Sequence, residues 1–203
     1  MKRIINIKAT NDEIEEICDA ISKMDIDCSI ESKVSYSKDE IINILRIKVY
    51  GHDKIQMMQD YKNIMNLADR IHKKYKPNKI GLFEYQLNDV KYPVNKELLK
   101  EAIGALDIEY KYDEEKNIIK CSLPLEELHD MTKELYGIYK ELDFTNVGPK
   151  PVKNIITVIS YITKKDIYDI IDESIEQEFL REENDKIVLN KDIKLIKEYF
   201  LNK

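Results

Sequence analysis

The order in which two hydrophobic periodicities alternate along the first 87 residues is the strongest constraint on the fold. Apolar and basic residues alternate at 45–49, which is typical of a strand with one buried face. Apolar residues recur in steps of three and four at 14–21, which is typical of a helix with one buried stripe. Applied along residues 1–87, these patterns predict strand, helix, strand, strand, helix and strand.

Capping residues fix where the two helices of this segment begin. Thr10 with Glu13 predicts a capping box at the start of the first helix. Asp53 with Gln56 predicts the cap of a longer second helix, which Pro77 should end. The order of elements is that of the ferredoxin-like split βαβ arrangement, with an antiparallel sheet covered by helices on one face.

The pattern of helix, hairpin and long helix occurs twice, at 11–76 and at 95–142. The two copies share the order of elements but not the residues, so the repeat is one of topology. Gly148, Pro149 and Pro151 then mark a boundary, beyond which two helices, a short hairpin and a helix resemble a winged-helix element in outline.

We therefore predict an α+β fold with two ferredoxin-like, βαββα-type units and a helical, winged-helix-like C-terminal element. The predicted domains are residues 1–87, 88–148 and 149–203. The repeats could extend one sheet, stack face to face or pair with another chain, so a homodimer is among the arrangements left open.

Composition limits the class of protein and its compartment. Hydrophobic residues form 43% of the chain and charged residues 35%, with a net charge of −6, which favours a globular protein with a charged surface. High Lys and Glu with few Gly is typical of hyperthermophile proteins, although an AT-rich genome would also raise Lys. No apolar run approaches the roughly 20 residues of a membrane span, and Cys18, Cys28 and Cys121 lack CxxC spacing. We expect a soluble cytoplasmic protein.

No familiar catalytic or cofactor motif is present. The isolated glycines exclude both GxGxxG and the P-loop, and no GxSxG, HExxH or EF-hand sequence occurs. His52, His72 and His129 have no neighbouring ligands at metal-binding spacing. A phosphate could bind at the helix start beside His52, but Asp53 should occupy those backbone N–H groups itself. We predict no cofactor and no metal, and we favour a protein without enzymatic activity.

Acidic residues form one face of the predicted helix after Thr163. Spacing by three and four places these carboxylates together: Asp169, Asp172, Glu173 and Glu176. A solvated face explains them most simply, and the alternatives are a docking face for a basic partner or a divalent-cation site. Such a face would repel the phosphates of DNA. We therefore expect the winged-helix-like element to serve packing or protein contact and not the recognition of DNA.

The most informative patch lies on the first predicted sheet. If 45, 47 and 49 face the helices, strand parity turns the intervening basic residues outward, together with those of the neighbouring strands. The predicted RNA or phosphate platform is Lys8, Lys33, Arg46, Lys48 and Tyr50. Solubility of an open sheet face is the alternative, and Glu31 offsets part of the charge. The paired aromatics of RNA-recognition sheets and the GxxG of the KH loop are absent.

Three functional hypotheses follow. The first is a non-catalytic module that binds RNA or a ribonucleoprotein through this basic face. The second is a protein-interaction or scaffold role through exposed sheet edges or the acidic helix, and the third is an enzyme with an unfamiliar site, for example between the repeats.

Two segments resemble a known family. Residues 43–76 (NILRIKVYGHDKIQMMQDYKNIMNLADRIHKKYK) resemble its strand, glycine and long-helix unit. Residues 164–200, which include DIIDESIEQEFLREENDKIVLNKD, resemble its C-terminal helix and short hairpin. The family is a set of conserved archaeal proteins of unknown function. The resemblance implies an archaeal cytoplasmic protein and supplies no catalytic residues.

Overall fold

The computed structural model describes residues 1–37 and 40–201, with side chains described outside 35–37 and 40–42. The chain divides into two compact units, Met1–Asn78 and Lys79–Lys203. The described residues form seven α-helices and three small antiparallel sheets. The predicted α+β class is therefore confirmed.

The first unit has the order βαββα. Its elements are β1 (Lys2–Ala9), α1 (Asn11–Ser22), β2 (Cys28–Ser37), β3 (Glu40–Tyr50) and α2 (Lys54–Tyr75). The sheet order is β1-β3-β2, with β3 antiparallel to both neighbours. The central strand is therefore the one in which apolar and basic residues alternate most regularly.

The inner face of this sheet forms the core of the first unit. Leu45, Ile47 and Val49 of β3 are each 0% exposed and lie in one cluster with Ile17 of α1 and Ile64 of α2. Complete burial of a side chain of this size stabilises a fold by about 1.5–3 kcal/mol. Burial of these odd-numbered side chains fixes the register of β3, because a slip by one residue would turn its basic residues into the core.

Both predicted helix caps of the first unit are confirmed. The Glu13 carboxylate accepts from the Thr10 N–H at 2.5 Å, and the Thr10 hydroxyl accepts from the Glu13 N–H at 3.3 Å. The Asp53 carboxylate accepts from the Gln56 N–H at 2.9 Å. Helix α2 ends at Tyr75, just before the proline that was expected to stop it.

The second unit begins with the same order of elements. These are β4 (Phe83–Gln86), α3 (Lys96–Ala105), β5 (Tyr110–Asp113), β6 (Ile118–Cys121) and α4 (Leu125–Glu141). The sheet order is β4-β6-β5, again antiparallel, so the third strand of the unit lies between the first two. Each unit thus contains a strand, a helix, a hairpin and a long helix.

One predicted strand pairs differently from expectation. Residues 80–87 were expected to complete the sheet of the first unit, but the strand at 83–86 pairs with β6. The reason is the burial of Tyr85, which is 2% exposed in the core around Leu98 and donates its hydroxyl proton to the Leu123 carbonyl at 2.7 Å. The first sheet has three described strands and not the four of a ferredoxin-like fold. The division at 87 and 148 stays a prediction.

The C-terminal part of the second unit is helical with one hairpin. Its elements are α5 (Lys150–Thr163), α6 (Ile167–Glu176), β7 (Leu180–Glu183), β8 (Lys186–Leu189) and α7 (Ile193–Leu201). Lys164, with φ 57°, ends α5 in the left-handed conformation that often closes helices. Asn184 and Asp185 also have positive φ, 51° and 59°, as a two-residue type I′ hairpin turn requires.

Helix α5 joins the two cores of the second unit. Ile155 and Ile159 lie in the cluster formed with α6, the hairpin and α7, and Val158 lies in the cluster around Leu98 and Leu128. All three residues of α5 are 0% exposed. The C-terminal element is therefore packed onto the remainder of its unit through a helix with an extensive apolar surface.

Candidate functional site

Strand register places the predicted basic residues together on one face of the first sheet. Cross-strand partners project to the same side, and Arg46 is paired with Asn6 on β1 and with Glu31 on β2. We call the side opposite the core the outer face. Its described residues are Lys2, Ile4, Asn6, Lys8, Ser29, Glu31, Lys33, Ile44, Arg46, Lys48 and Tyr50.

All five residues of the predicted platform lie on this outer face. Lys8 and Lys33 are exposed, and Arg46, Lys48 and Tyr50 of the central strand are half-buried. The partial burial of the central three reflects neighbours on both sides within the sheet. The structure therefore brings these side chains to one solvent-accessible surface, as strand parity predicted.

The outer face contains one carboxylate among its described residues, and that group is already engaged. Lys48 donates a hydrogen bond to Glu31 and forms an ion pair with it. This hydrogen bond, with the nearby charges of Lys48, Arg46 and Lys33, holds the pKa of Glu31 below its usual value. Glu31 thus neutralises part of the predicted positive charge, at the position of Lys48.

Arg46 lies opposite Glu31 and contributes to lowering the pKa of that carboxyl, but it forms no ion pair among the described residues. Its Nε donates to the Asn6 amide oxygen at 3.3 Å, which fixes the guanidinium above the sheet without removing the charge. Within the described residues no carboxylate forms an ion pair with Arg46, Lys2, Lys8 or Lys33. These four side chains are the cations of the outer face that have no ion pair among the described residues.

Tyr50 ends the central strand on the outer face. Its hydroxyl shares a hydrogen bond with the Ser29 hydroxyl at 3.2 Å, across the β2–β3 pair. Lys2 is its partner on β1. Tyr50 and Lys2 therefore lie at the same end of the outer face.

Sequence reasoning missed Lys2, Ile4 and Ile44 of the outer face. The sequence prediction included only Lys8 from the first strand, whereas β1 begins at Lys2. The signal was nevertheless present, because residues 2 and 4 have the same parity as Lys8. Ile4 is 42% exposed, so the face offers apolar surface between its charges.

Comparison with known proteins places the chain in a family. A family described as an uncharacterized protein conserved in archaea (DUF2067) matches residues 7–198. The chain belongs to this archaeal family. An uncharacterized protein of Methanococcus vannielii is 47% identical over 202 residues, covering 100% of this chain and 98% of that protein. An uncharacterized protein of Methanocaldococcus jannaschii is 41% identical, covering 99% of this chain and 94% of that protein. No solved structure matches.

Membership of the family confirms the resemblance seen in the sequence at 43–76 and 164–200. The match includes both units, since it runs from within β1 to within α7. Both relatives align along almost their whole length, so they correspond to this chain in extent as well as in sequence.

Two of the other sequence candidates, His72 and Glu173, have partners within their own units. His72 lies 2.7 Å from the buried Glu13 carboxylate. On the acidic face of α6, Glu173 accepts from Lys165 at 2.8 Å and from the Tyr199 hydroxyl at 2.9 Å. These contacts give the His72 ring and the Glu173 carboxylate structural roles within their units.

Two absences concern the part of the chain that the structure describes. No group of three or more His, Cys, Asp or Glu side chains in it is arranged to hold a metal ion. None of its helices combines the length and apolar character that crossing a bilayer requires.

Proposed function

We propose that the chain is a cytoplasmic, non-catalytic RNA-binding protein whose binding surface is the outer face of the first sheet. One observation carries the proposal: among the described residues of this face, four cations have no ion-pair partner, and the one carboxylate is already paired with Lys48. The four are Lys2, Lys8, Lys33 and Arg46. The proposal agrees with a net charge of −6, because the positive charge is local.

The composition of the face favours contacts to the RNA backbone over base reading. Along a strand the backbones of alternate residues are about 6.7 Å apart, and neighbouring strands are about 4.8 Å apart, so several of these long side chains can reach one strand of RNA. Tyr50 is the one aromatic side chain among the described outer-face residues, whereas sequence-specific sheets stack two or three bases. We expect low sequence specificity and strong salt dependence.

The strand order around this surface resembles that of a ferredoxin-like sheet. We propose that each βαββα segment is a ferredoxin-like unit without its fourth strand. In support, β1 and β2 flank the antiparallel β3, and helix α1 connects them, which is the split βαβ motif. The turn between α5 and α6 followed by the β7–β8 hairpin likewise supports a winged-helix-like C-terminal element.

Fluorescence anisotropy of a labelled RNA hairpin with a single-stranded loop, titrated with the full chain at several salt concentrations, tests the proposal. For single strands the logarithm of the binding constant falls with the logarithm of salt by about 0.7 per phosphate contacted. Four contacts therefore predict a slope of about −3. The double variant Lys8→Glu/Arg46→Glu should weaken binding at least tenfold and make the slope shallower.

A matched control carries the same change of charge away from the outer face. Lys54 and Lys62 are exposed on α2, and Lys54→Glu/Lys62→Glu should leave the affinity within about twofold of the unmodified chain. Two results would overturn the proposal: absence of binding at low salt, or equal weakening by both double variants. Equal weakening would indicate a response to net charge alone.

A further inference from the structure

A separate cavity lies in the second unit, among the chain before α3, the last turns of α4 and the start of α5. Its volume is about 340 Å³, near the lower limit of about 300–1,000 Å³ for small-molecule sites. The residues that line it include Val94, Asn95, Tyr136, Tyr139, Lys140 and Lys150. A cavity of this size fits a single small molecule.

One wall of the cavity is aromatic. Tyr136 and Tyr139 are three residues apart on α4 and therefore adjacent on its surface. Tyr92 contacts Tyr136, with 6.4 Å between ring centroids, and the Lys153 ammonium lies 5.9 Å from the centre of the Tyr139 ring. Val94 lines the same space. Such a wall offers apolar and π surface to a planar ring.

The polar part of the cavity is held rigidly. Asn95 donates to the Asn154 amide oxygen at 3.0 Å, and Asn154 donates back to Asn95 at 3.3 Å. Asn154 is 2% exposed, and the Asn95 oxygen also accepts from the Leu98 N–H at 2.9 Å. Each amide has two N–H donors, so Asn95 keeps one for a ligand acceptor.

Two exposed lysines lie at the opening. Lys140 is 3.5 Å from an Asp143 oxygen and Lys150 is 3.1 Å from a Glu97 oxygen, and both lysine side chains are 56% exposed. Exposed ion pairs of this kind contribute little to the stability of a fold. An anionic ligand group can therefore replace these carboxylates at little cost.

We propose that this cavity binds a nucleoside monophosphate, with the base against Tyr136 and Tyr139 and the phosphate between Lys140 and Lys150. The aromatic wall selects a planar ring, the lysines select an anion, and the small volume favours one nucleotide over a dinucleotide. All of these residues belong to the second unit, so the inference does not depend on RNA binding by the first.

Isothermal titration of the full chain with AMP, GMP, CMP and UMP tests the proposal. We expect at least one nucleotide to bind with a dissociation constant below about 1 mM. Adenosine, ribose 5-phosphate and inorganic phosphate separate the two halves of the ligand, and each should bind at least tenfold more weakly than the best nucleotide. Absence of binding by all four nucleotides at millimolar concentration would overturn the proposal, as would equal binding of inorganic phosphate.

Variants locate the site. Lys140→Gln/Lys150→Gln and, separately, Tyr136→Leu should each weaken nucleotide binding about tenfold or more, because charge-assisted contacts and ring stacking are lost. Lys133→Gln, at an exposed position of the same helix, should have no effect. Thermal unfolding checks that each variant is folded. Binding unchanged by the Lys140/Lys150 variant would place the nucleotide elsewhere and overturn the assignment.

Nucleotide binding by the second unit can be tested independently of RNA binding by the first. The Lys8→Glu/Arg46→Glu variant should bind the nucleotide with unchanged affinity, because both substitutions lie in the first unit. Loss of nucleotide binding in that variant would contradict the assignment to the second-unit cavity.

Discussion

The carboxylate of Glu13 lies 2.7 Å from Nδ1 of His72, which connects the start of α1 to the last turn of α2. Glu13 is 1% exposed, and its second oxygen accepts from the Thr10 N–H. One buried carboxylate thus completes a helix cap and joins the two helices that cover the first sheet.

Replacement of Glu13 by alanine should therefore destabilise the first unit by about 1–3 kcal/mol. The substitution removes the acceptor of the Thr10 N–H and separates α1 from His72. Urea denaturation monitored by circular dichroism measures the effect. Glu15→Ala, at an exposed position of the same helix, is the control and should change the free energy of unfolding by less than about 0.5 kcal/mol. Similar losses in both variants would contradict this role of Glu13.

Removal of the carboxylate from the outer face should strengthen RNA binding. Glu31→Gln releases Lys48 from its ion pair and raises the charge of the face by one. With one more phosphate contact, the salt slope should steepen by about 0.7. Anisotropy titration at low and moderate salt measures both quantities. Affinity unchanged or reduced by Glu31→Gln would contradict a role for Lys48 in binding.

The same ion pair predicts a pH dependence of stability. The hydrogen bond from Lys48 lowers the pKa of Glu31 below its ordinary 4.5 in the folded chain. A lowered folded-state pKa adds stability above the ordinary value, and this stability is lost as the pH falls through the lowered one. The difference in unfolding free energy between the unmodified chain and Glu31→Gln should be constant from about pH 5.5 to 8 and should shrink below about 4.5. A difference that stays constant down to pH 3 would contradict this sign.

Strand parity could be predicted from the sequence because it depends on a strict local rule. Side chains on a strand alternate between faces, so the burial of Ile47 fixes the outward direction of Arg46 and Lys48. The ion-pair partners on that face could not be predicted in this way. Glu31 is directly opposite Arg46 in the register, yet it forms its ion pair with the diagonal neighbour Lys48. Side-chain length and sheet twist decide between these partners, and neither can be read from sequence spacing.

The partner of β4 could not be predicted for a related reason. A short apolar segment indicates a strand but does not identify the neighbouring strand. That choice depends on which core receives Tyr85, and its contacts with Leu98 and the Leu123 carbonyl come from segments far along the chain. The cavity beside Tyr136 is equally nonlocal, because it combines residues from 93 to 150. Local periodicity gives no information about such long-range convergence.

Two glycines of the second unit should respond oppositely to alanine. Gly81 has φ +83°, which costs an L-residue about 1–2 kcal/mol, so Gly81→Ala should be destabilising although nothing crowds the added methyl group. Gly137 is exposed within α4, and its added Cβ would meet no atom within 4 Å. Alanine stabilises such a helical position by about 0.5–1 kcal/mol. Thermal and urea unfolding of both variants measure the two shifts, and Gly81→Asn should lose less than Gly81→Ala because Asn tolerates the left-handed region. Stabilisation at both sites would show that unfolded-chain entropy, which both substitutions reduce, outweighs the local backbone conformation at Gly81.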